Sequence, residues 1–205
     1  MHQYIIDTEY AAKHLLLLAN EEENKLQELS EKLSNVEAQL RVHKWDFESS
    51  DLNDDFSEVY VTGAFGRMAQ AAQQAEALQG QLASLQVSIG THQQAVQAIA
   101  GSILQIAKQG ISIVHGGLSA AAEGRKIGSL ALKEIVWQAR NQAIHYEEGK
   151  FIKPVTDLFA TLEKEQGAQF SLTGHPNQSR AKQVLALLGW SRYAAYVHDM
   201  QSLLP

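Results

Sequence analysis

The feature that most constrains this chain is the placement of its prolines: the only three, Pro154, Pro176 and Pro205, fall at position 154 or later in 205 residues. Proline in a helix interior removes a hydrogen bond and clashes with the preceding turn, so nothing before Pro154 forbids long uninterrupted helices. Ala, Leu, Gln and Glu dominate that stretch, and all are good helix formers. The pattern predicts a first helix from about Thr8 to about His43, whose second half places Leu26, Leu29, Leu33, Val36 and Leu40 at alternating steps of three and four. That spacing is the seam of a coiled coil or a long helical hairpin. A second, longer seam runs through Ala64, Met68, Ala71, Ala75, Leu78, Leu82, Leu85, Ile89, His92, Val96, Ile99, Ile103 and Ile106. Gly90-Thr91, with Gln94 in capping-box position, offers a competing stop and restart. The unbroken seam favours one continuous or kinked helix, in which His92 is a register-setting polar residue rather than a ligand.

Between the seams, Lys44 to Asp55 reads as a polar connection, and Val59-Tyr60-Val61 as either a strand or a helix entry. Gly110, Gly116 and Gly117 loosen the chain, making His115 a loop residue. A third main helix is expected from about Arg125 to Glu148, stopping at Gly149. Pro154 then opens a short helix burying Val155, Leu158, Phe159 and Leu162 on one face. Ser171 to Gln178, with His175 before Pro176, reads as a loop, and a last helical region from about Ser179 to Leu204 bends near Gly189-Trp190. The fold class is all-α: an elongated antiparallel helical bundle with long N-terminal and shorter C-terminal helices. We expect a single domain over 1–205, with 8–63 as an acidic extension and connection, and 64–205 as the bundle carrying the motif helix 125–148.

Composition narrows the function classes. Cysteine is absent, which removes disulfide scaffolds, thiol nucleophiles and cysteine-based metal sites and suits a reducing compartment. The first ten residues lack a basic segment followed by a cleavable apolar stretch, so the expected location is cytoplasmic. No apolar run of membrane-spanning length exists. Formal net charge is −6, but 12 acidic against 4 basic residues between Glu21 and Glu58 account for −8 of it. The rest of the chain is therefore slightly basic and can offer a local phosphate site. Ala77 to Ala107 contains no Asp, Glu, Lys or Arg but seven Gln, a composition suited to a helix covered by protein rather than lipid. The eight histidines are scattered, without the His-x-x-x-His or His-Glu-x-x-His spacing of a metal site, and no metal or cofactor is expected. Phosphate-loop and Gly-x-Ser-x-Gly spacings are absent as well.

The most informative stretch is Trp137-Gln-Ala-Arg140-Asn141-Gln142-Ala143-Ile144-His145-Tyr146. In a helix, Glu134, Gln138, Asn141 and His145 step by four, three and four along one face, with Arg140 adjoining it. Leu132, Ile135, Val136, Ala139 and Ala143 occupy the other, buried directions. A line of polar groups on an apolar helix faces either water or a polar site. Arginine offers a planar fork of donors suited to phosphate. Histidine exchanges protons near neutral pH. Asn141 can orient the imidazole or hold a substrate, whereas Glu134 suits packing or pairing with a base. These ingredients suffice for metal-free RNA cleavage, in which a ribose 2′-hydroxyl attacks its own phosphate.

Arg140-Asn141-x-x-x-His145 resembles the signature of the HEPN superfamily (higher eukaryote and prokaryote nucleotide-binding domains): Arg, four to six residues, then His, usually with a polar residue after the Arg. The resemblance implies an all-α bundle and a metal-independent endoribonuclease whose site forms where two motif copies meet across a homodimer or higher even-numbered oligomer. Arg140 and His145 would be catalytic, Asn141 would support them, RNA would be the substrate, and an antitoxin or regulatory protein could be a partner, as for a toxin or defence effector. A second Arg-to-His spacing, Arg192 to His198, carries Tyr193 in place of Asn and an apolar filling, and reads as an ordinary amphipathic helix. Requiring Asn beside Arg lowers the number of chance matches in such a chain from about 0.7 to roughly 0.02.

Other readings stand beside this one. Arg140 and His145 can simply complement the dipole in the last turns of a helix. The chain can be a non-catalytic helical interaction protein with a degenerate HEPN-like bundle, its acidic segment binding a basic partner. A pore-forming protein is the weakest, because the Gln content of 77–107 is wrong for hydrocarbon.

Overall fold

The structure, a computed structural model, describes residues 1–49 and 58–205. It is all-α, with one short β-hairpin. The described elements are α1 (Gln3–Asp7), α2 (Glu9–Ser49), α3 (Glu58–His115), β1 (Lys126–Ile127), β2 (Leu130–Ala131), α4 (Leu132–His145), α5 (Lys153–Gln166), α6 (Ala181–Leu188) and α7 (Tyr193–Leu203), with short 3-10 turns at Tyr146–Glu148, which carries α4 on to Gly149, and at Ala168–Phe170. Contacts divide the chain into two compact units, one of 1–22 with 94–205 and one of 23–93. This division falls inside both long helices, whereas the sequence pattern places a boundary between 63 and 64.

In the unit of 23–93, α2 and α3 carry the seams at the expected positions. Leu26 and Leu29 are buried, and Leu33, Val36 and Leu40 half-buried; on α3, Ala71 is buried and Ala75, Leu78, Leu82, Leu85, Ile89 and His92 are half-buried. Positions between them on α3, such as Gln74, Gln79, Gln81 and Val87, are exposed. Ala64 and Met68 lie outside the described side chains. α2 runs past the expected end at His43 to Ser49: Lys44-Trp-Asp-Phe-Glu-Ser contains neither Gly nor Pro, and polar residues alone do not stop a helix. The remainder of the expected connection, Ser50 to Asp55, lies outside the described residues. Val59 to Val61 belong to α3. The helix continues through Gly90-Thr91, where Thr91 spends its hydroxyl on the Val87 carbonyl at 3.1 Å instead of capping a new helix.

The other unit holds the main core. Ala12 and Leu16 of α2, Ala100, Ile103, Leu104, Ala107 and Ile111 of α3, and the apolar faces of α4 to α7 enclose Phe159, Phe170, Trp190 and Tyr196. Val155, Leu158, Phe159 and Leu162 are buried on α5, with Pro154 in its first turn. Gly189, at φ 70°, closes α6 and turns the chain into α7. α1 packs as a separate short helix before α2, capped by Nδ1 of His2, which accepts from the Tyr4 N–H at 3.1 Å. The Tyr4 hydroxyl donates to the Ile106 carbonyl at 2.7 Å, holding the ring beside α3 at Gly110.

Gly110 is required by that contact. A Cβ there would lie 2.7 Å from the Tyr4 ring and 3.0 Å from Leu204, whereas at Gly90 it would meet nothing within 4 Å. Gly110→Ala is expected to destabilise the protein by about 1–3 kcal/mol through overpacking. Gly90→Ala is expected to stabilise it by about 0.5–1 kcal/mol through helix propensity. Opposite shifts of the two denaturation midpoints check the placement of α1 on α3.

The third main helix begins seven residues later than the sequence suggests. Gly124 at φ 67° and Gly128 at φ 58° break helical geometry, and the chain pairs as a hairpin around the second of them, Lys126 with Ala131 and Ile127 with Leu130. A Cβ at Gly128 would stand 2.0 Å from the Glu165 carboxylate, so a larger residue would displace that side chain besides straining a backbone at φ 58°. Ser129 donates its N–H (3.0 Å) and its hydroxyl (2.6 Å) to Glu165, and those bonds hold the Glu165 carboxyl below its usual range. His115 is also not a loop residue: it ends α3, and its Nε2 donates to the Leu203 carbonyl at 2.7 Å, tying α3 to the end of α7.

Candidate active site

α4 is positioned before its functional residues are reached. Its first N–H groups have no side-chain cap; instead Leu132 N donates to Arg125 O at 3.0 Å and Lys133 N to Glu123 O at 3.2 Å. Free helical donors are thereby satisfied by the irregular segment that precedes the hairpin. Leu132, Ile135, Val136 and Ala139 bury one face, which packs against α5, α6 and α7. Gln142 is 1% exposed and acts as a clasp: its carbonyl accepts from the Arg180 N–H at 2.8 Å, and its amide donates to the Gln178 carbonyl at 2.9 Å. Within the motif Gln142 looks like filler, and nothing local signals this bond to a segment 36 residues away.

Part of the polar stripe is a connected set: Gln138 and Asn141 are joined to Arg140, while His145 bonds elsewhere. Arg140 Nε donates to Gln105 Oε1 of α3, and Arg140 Nη1 donates to Asn141 Oδ1 at 3.3 Å. Asn141 Nδ2 in turn donates to Gln138 Oε1 at 3.2 Å. Gln138 is buried, Arg140 and Asn141 are half-buried, and Glu134 is exposed in the first turn, where an acid favours the helix dipole. Asn141 therefore steadies the guanidinium and makes no bond to the imidazole. That role goes to Glu148, which the sequence pattern does not single out. His145 Nδ1 donates to Glu148 Oε1 at 2.6 Å, with the two side chains 49% and 64% exposed. A carboxylate only accepts, so Nδ1 carries a proton in this bond, an arrangement in which Nε2 is the ring atom available for proton transfer.

Arg140 and His145 are both on α4, but five helical residues turn them about 140° apart around the axis. One copy of the helix thus presents its phosphate-binding and proton-transfer groups in diverging directions. The competing spacing is arranged differently: Arg192 precedes α7 and His198 is exposed on it, next to Asp199, which points inward.

Asp199 belongs to a second polar cluster that sequence reasoning missed. Its carboxylate is 2% exposed and accepts from Arg125 at 2.7 and 2.9 Å and from the Trp190 indole at 2.8 Å. Arg125 also donates to the Leu188 carbonyl at 2.8 Å. The hydrogen bond to Asp199 raises the Arg125 pKa above its ordinary value. These groups are packed among α4, α6 and α7 and act structurally. Among the described residues, no three His, Asp or Glu side chains lie together as a metal site, and no helix is long and apolar enough to cross a membrane. Comparison with protein-family models, with curated proteins and with solved structures gives no match.

Proposed function

We propose that the chain is a metal-independent endoribonuclease of HEPN type, acting as a toxin or defence effector. The observation that carries the proposal is the pairing of His145 with Glu148 at 2.6 Å on the helix that also bears an Arg140 held by Gln105 and Asn141. In the reaction, Nε2 of His145 takes the proton of a ribose 2′-hydroxyl as its oxygen attacks the adjacent phosphorus. The bond from phosphorus to the 5′-oxygen breaks, leaving a 2′,3′-cyclic phosphate, and the 5′-oxygen takes a proton from the protonated His145 imidazole of a second copy to leave as a hydroxyl. Arg140 stabilises the charge that accumulates on the phosphoryl oxygens, a donor fork suited to that geometry. Glu148 holds the imidazole in the required tautomer, much as a carboxylate does in a hydrolase triad.

One imidazole cannot readily serve as base and acid in the same step, and Arg140 diverges from His145 on a single helix. Both points support a site shared by two copies. The exposed positions of α3 between Ala77 and Ala107 carry no charge and are a suitable contact, since acidic α2 faces would repel each other. Light scattering is expected to give twice the chain mass or an even multiple. Mixing Arg140→Ala with His145→Ala protein is expected to restore part of the cleavage lost by each. A monomer that still cleaves RNA would remove the shared site and leave the motif. An antitoxin or regulatory protein partner belongs to the same proposal.

A non-catalytic interaction protein is the second reading. It is favoured by the half-buried seam of 23–93 and by a groove of about 760 Å³ there, lined by Lys32, Val36, Ala77, Gly80, Ser84 and Leu85. Absence of any cleavage dependent on Arg140 and His145 would favour it.

A further inference from the structure

A groove of about 480 Å³ opens within the larger unit, between the C-terminal half of α3 and the end of α4, with Leu15 of α2 at its side. Its size is that of a small-ligand site. The walls carry three amides, Gln94, Gln97 and Gln105, and no charged side chain. Its floor is shallow because the helices approach closely at small residues: a Cβ on Gly101 would lie 3.6 Å from that of Ala143. Tyr146, half-buried just after α4, adds an aromatic ring to the lining.

Gln105 belongs both to this wall and to Arg140, whose Nε it receives. A phosphate held by Arg140 would therefore stand at the rim, and the nucleoside joined to it would reach the groove. The lining suits a base and not a second phosphate. Primary amides offer a donor and an acceptor side by side, matching base edges. An aromatic ring and an apolar floor offer stacking that every base can use. His145 does not line the groove, although Ile144 and Tyr146 on either side of it do.

We infer that this groove is a base-recognition subsite, taking one unpaired nucleobase of single-stranded RNA beside the phosphate held by Arg140 and so setting where the strand is cut. The inference rests on the endoribonuclease reading, and its test keeps the two apart. The four nucleoside 3′-monophosphates would be titrated into the full-length protein by calorimetry, and cut positions on one defined RNA would be mapped in parallel. Gly101→Leu fills the groove. The pair Gln94→Ala and Gln97→Ala removes two amides at the surface, and should fold even where the leucine does not.

The wild type is expected to favour one nucleotide over the others by about tenfold, within the span of a good amide–base contact. The groove variants should lose that preference and scatter the cut positions, with His145 and Arg140 intact. Binding that is preferential and lost in the groove variants supports the subsite even if the wild type cuts no RNA, a result that would remove the enzymatic proposal alone. If none of the four nucleotides binds, or if the folded variants bind and cut as the wild type does, the subsite is refuted, whatever the wild-type activity.

Discussion

Replacing His145 or Arg140 with alanine is expected to lower RNA cleavage by about 10²–10⁴-fold in each case, the range for losing a general acid–base or a charge-stabilising donor. The fold should survive both changes. His145 is half-exposed and bonded only to Glu148 three residues on, and Arg140 is tied to Gln105 and Asn141 at the edge of the core. Unchanged circular dichroism and melting behaviour beside lost activity is therefore the expected pair of results. Arg140→Lys keeps the charge but not the planar fork, and should recover little. Glu148→Ala leaves the ring unanchored and should cost less than removing the ring itself. Arg192→Ala is the control: full activity is expected, and an equal loss there would move the site to the second Arg-to-His spacing.

The largest effect on stability is expected at a residue outside the site. Arg125→Ala removes a two-pronged partner from Asp199 and leaves a carboxylate that is 2% exposed with the Trp190 indole as its remaining donor. Breaking a buried pair in this way costs about 3–5 kcal/mol, mostly the penalty of an uncompensated buried charge. Asp199→Ala should cost less, because the Arg125 side chain is 41% exposed and its charge can turn to water. The double alanine variant should be more stable than Arg125→Ala alone. Chemical denaturation of the four proteins measures this order. Equal losses in both single variants would show that the carboxylate is not carrying the penalty.

How much of this was legible beforehand depends on the range of the signal. The four-three spacing of Leu26 to Leu40 and of Ala71 to Val96 predicted burial position by position, since helical periodicity is local and alone decides which side chains face a neighbour. Gly149, Pro154 and Gly189 marked helix ends for similarly local reasons. The hairpin before α4 was missed: Gly128-Ser129 is a two-residue turn signal, but the helix formers Arg125, Lys126, Leu130 and Ala131 around it mask it, and the positive φ of Gly124 and Gly128 shows only in the structure. The bond of Gln142 to Arg180 and that of Arg125 to Asp199, 74 residues apart, are products of tertiary packing. At the candidate site the motif pointed to Arg140, Asn141 and His145 but left open whether Asn141 orients the imidazole or holds a substrate, because a stripe says which residues share a face and not which of them bond; the side chain bonds Arg140 and Gln138. Glu148, one turn beyond His145, was within reach of an i,i+3 pairing rule.

The central claim is that His145 and Arg140 cut RNA without a metal, and incubation of the purified full-length protein with total RNA in excess EDTA tests it most directly. The account predicts fragments ending in 2′,3′-cyclic phosphate and 5′-hydroxyl groups, formed by the wild type and not by His145→Ala protein. Cleavage that requires a divalent cation, or that persists in His145→Ala and Arg140→Ala alike, would contradict it.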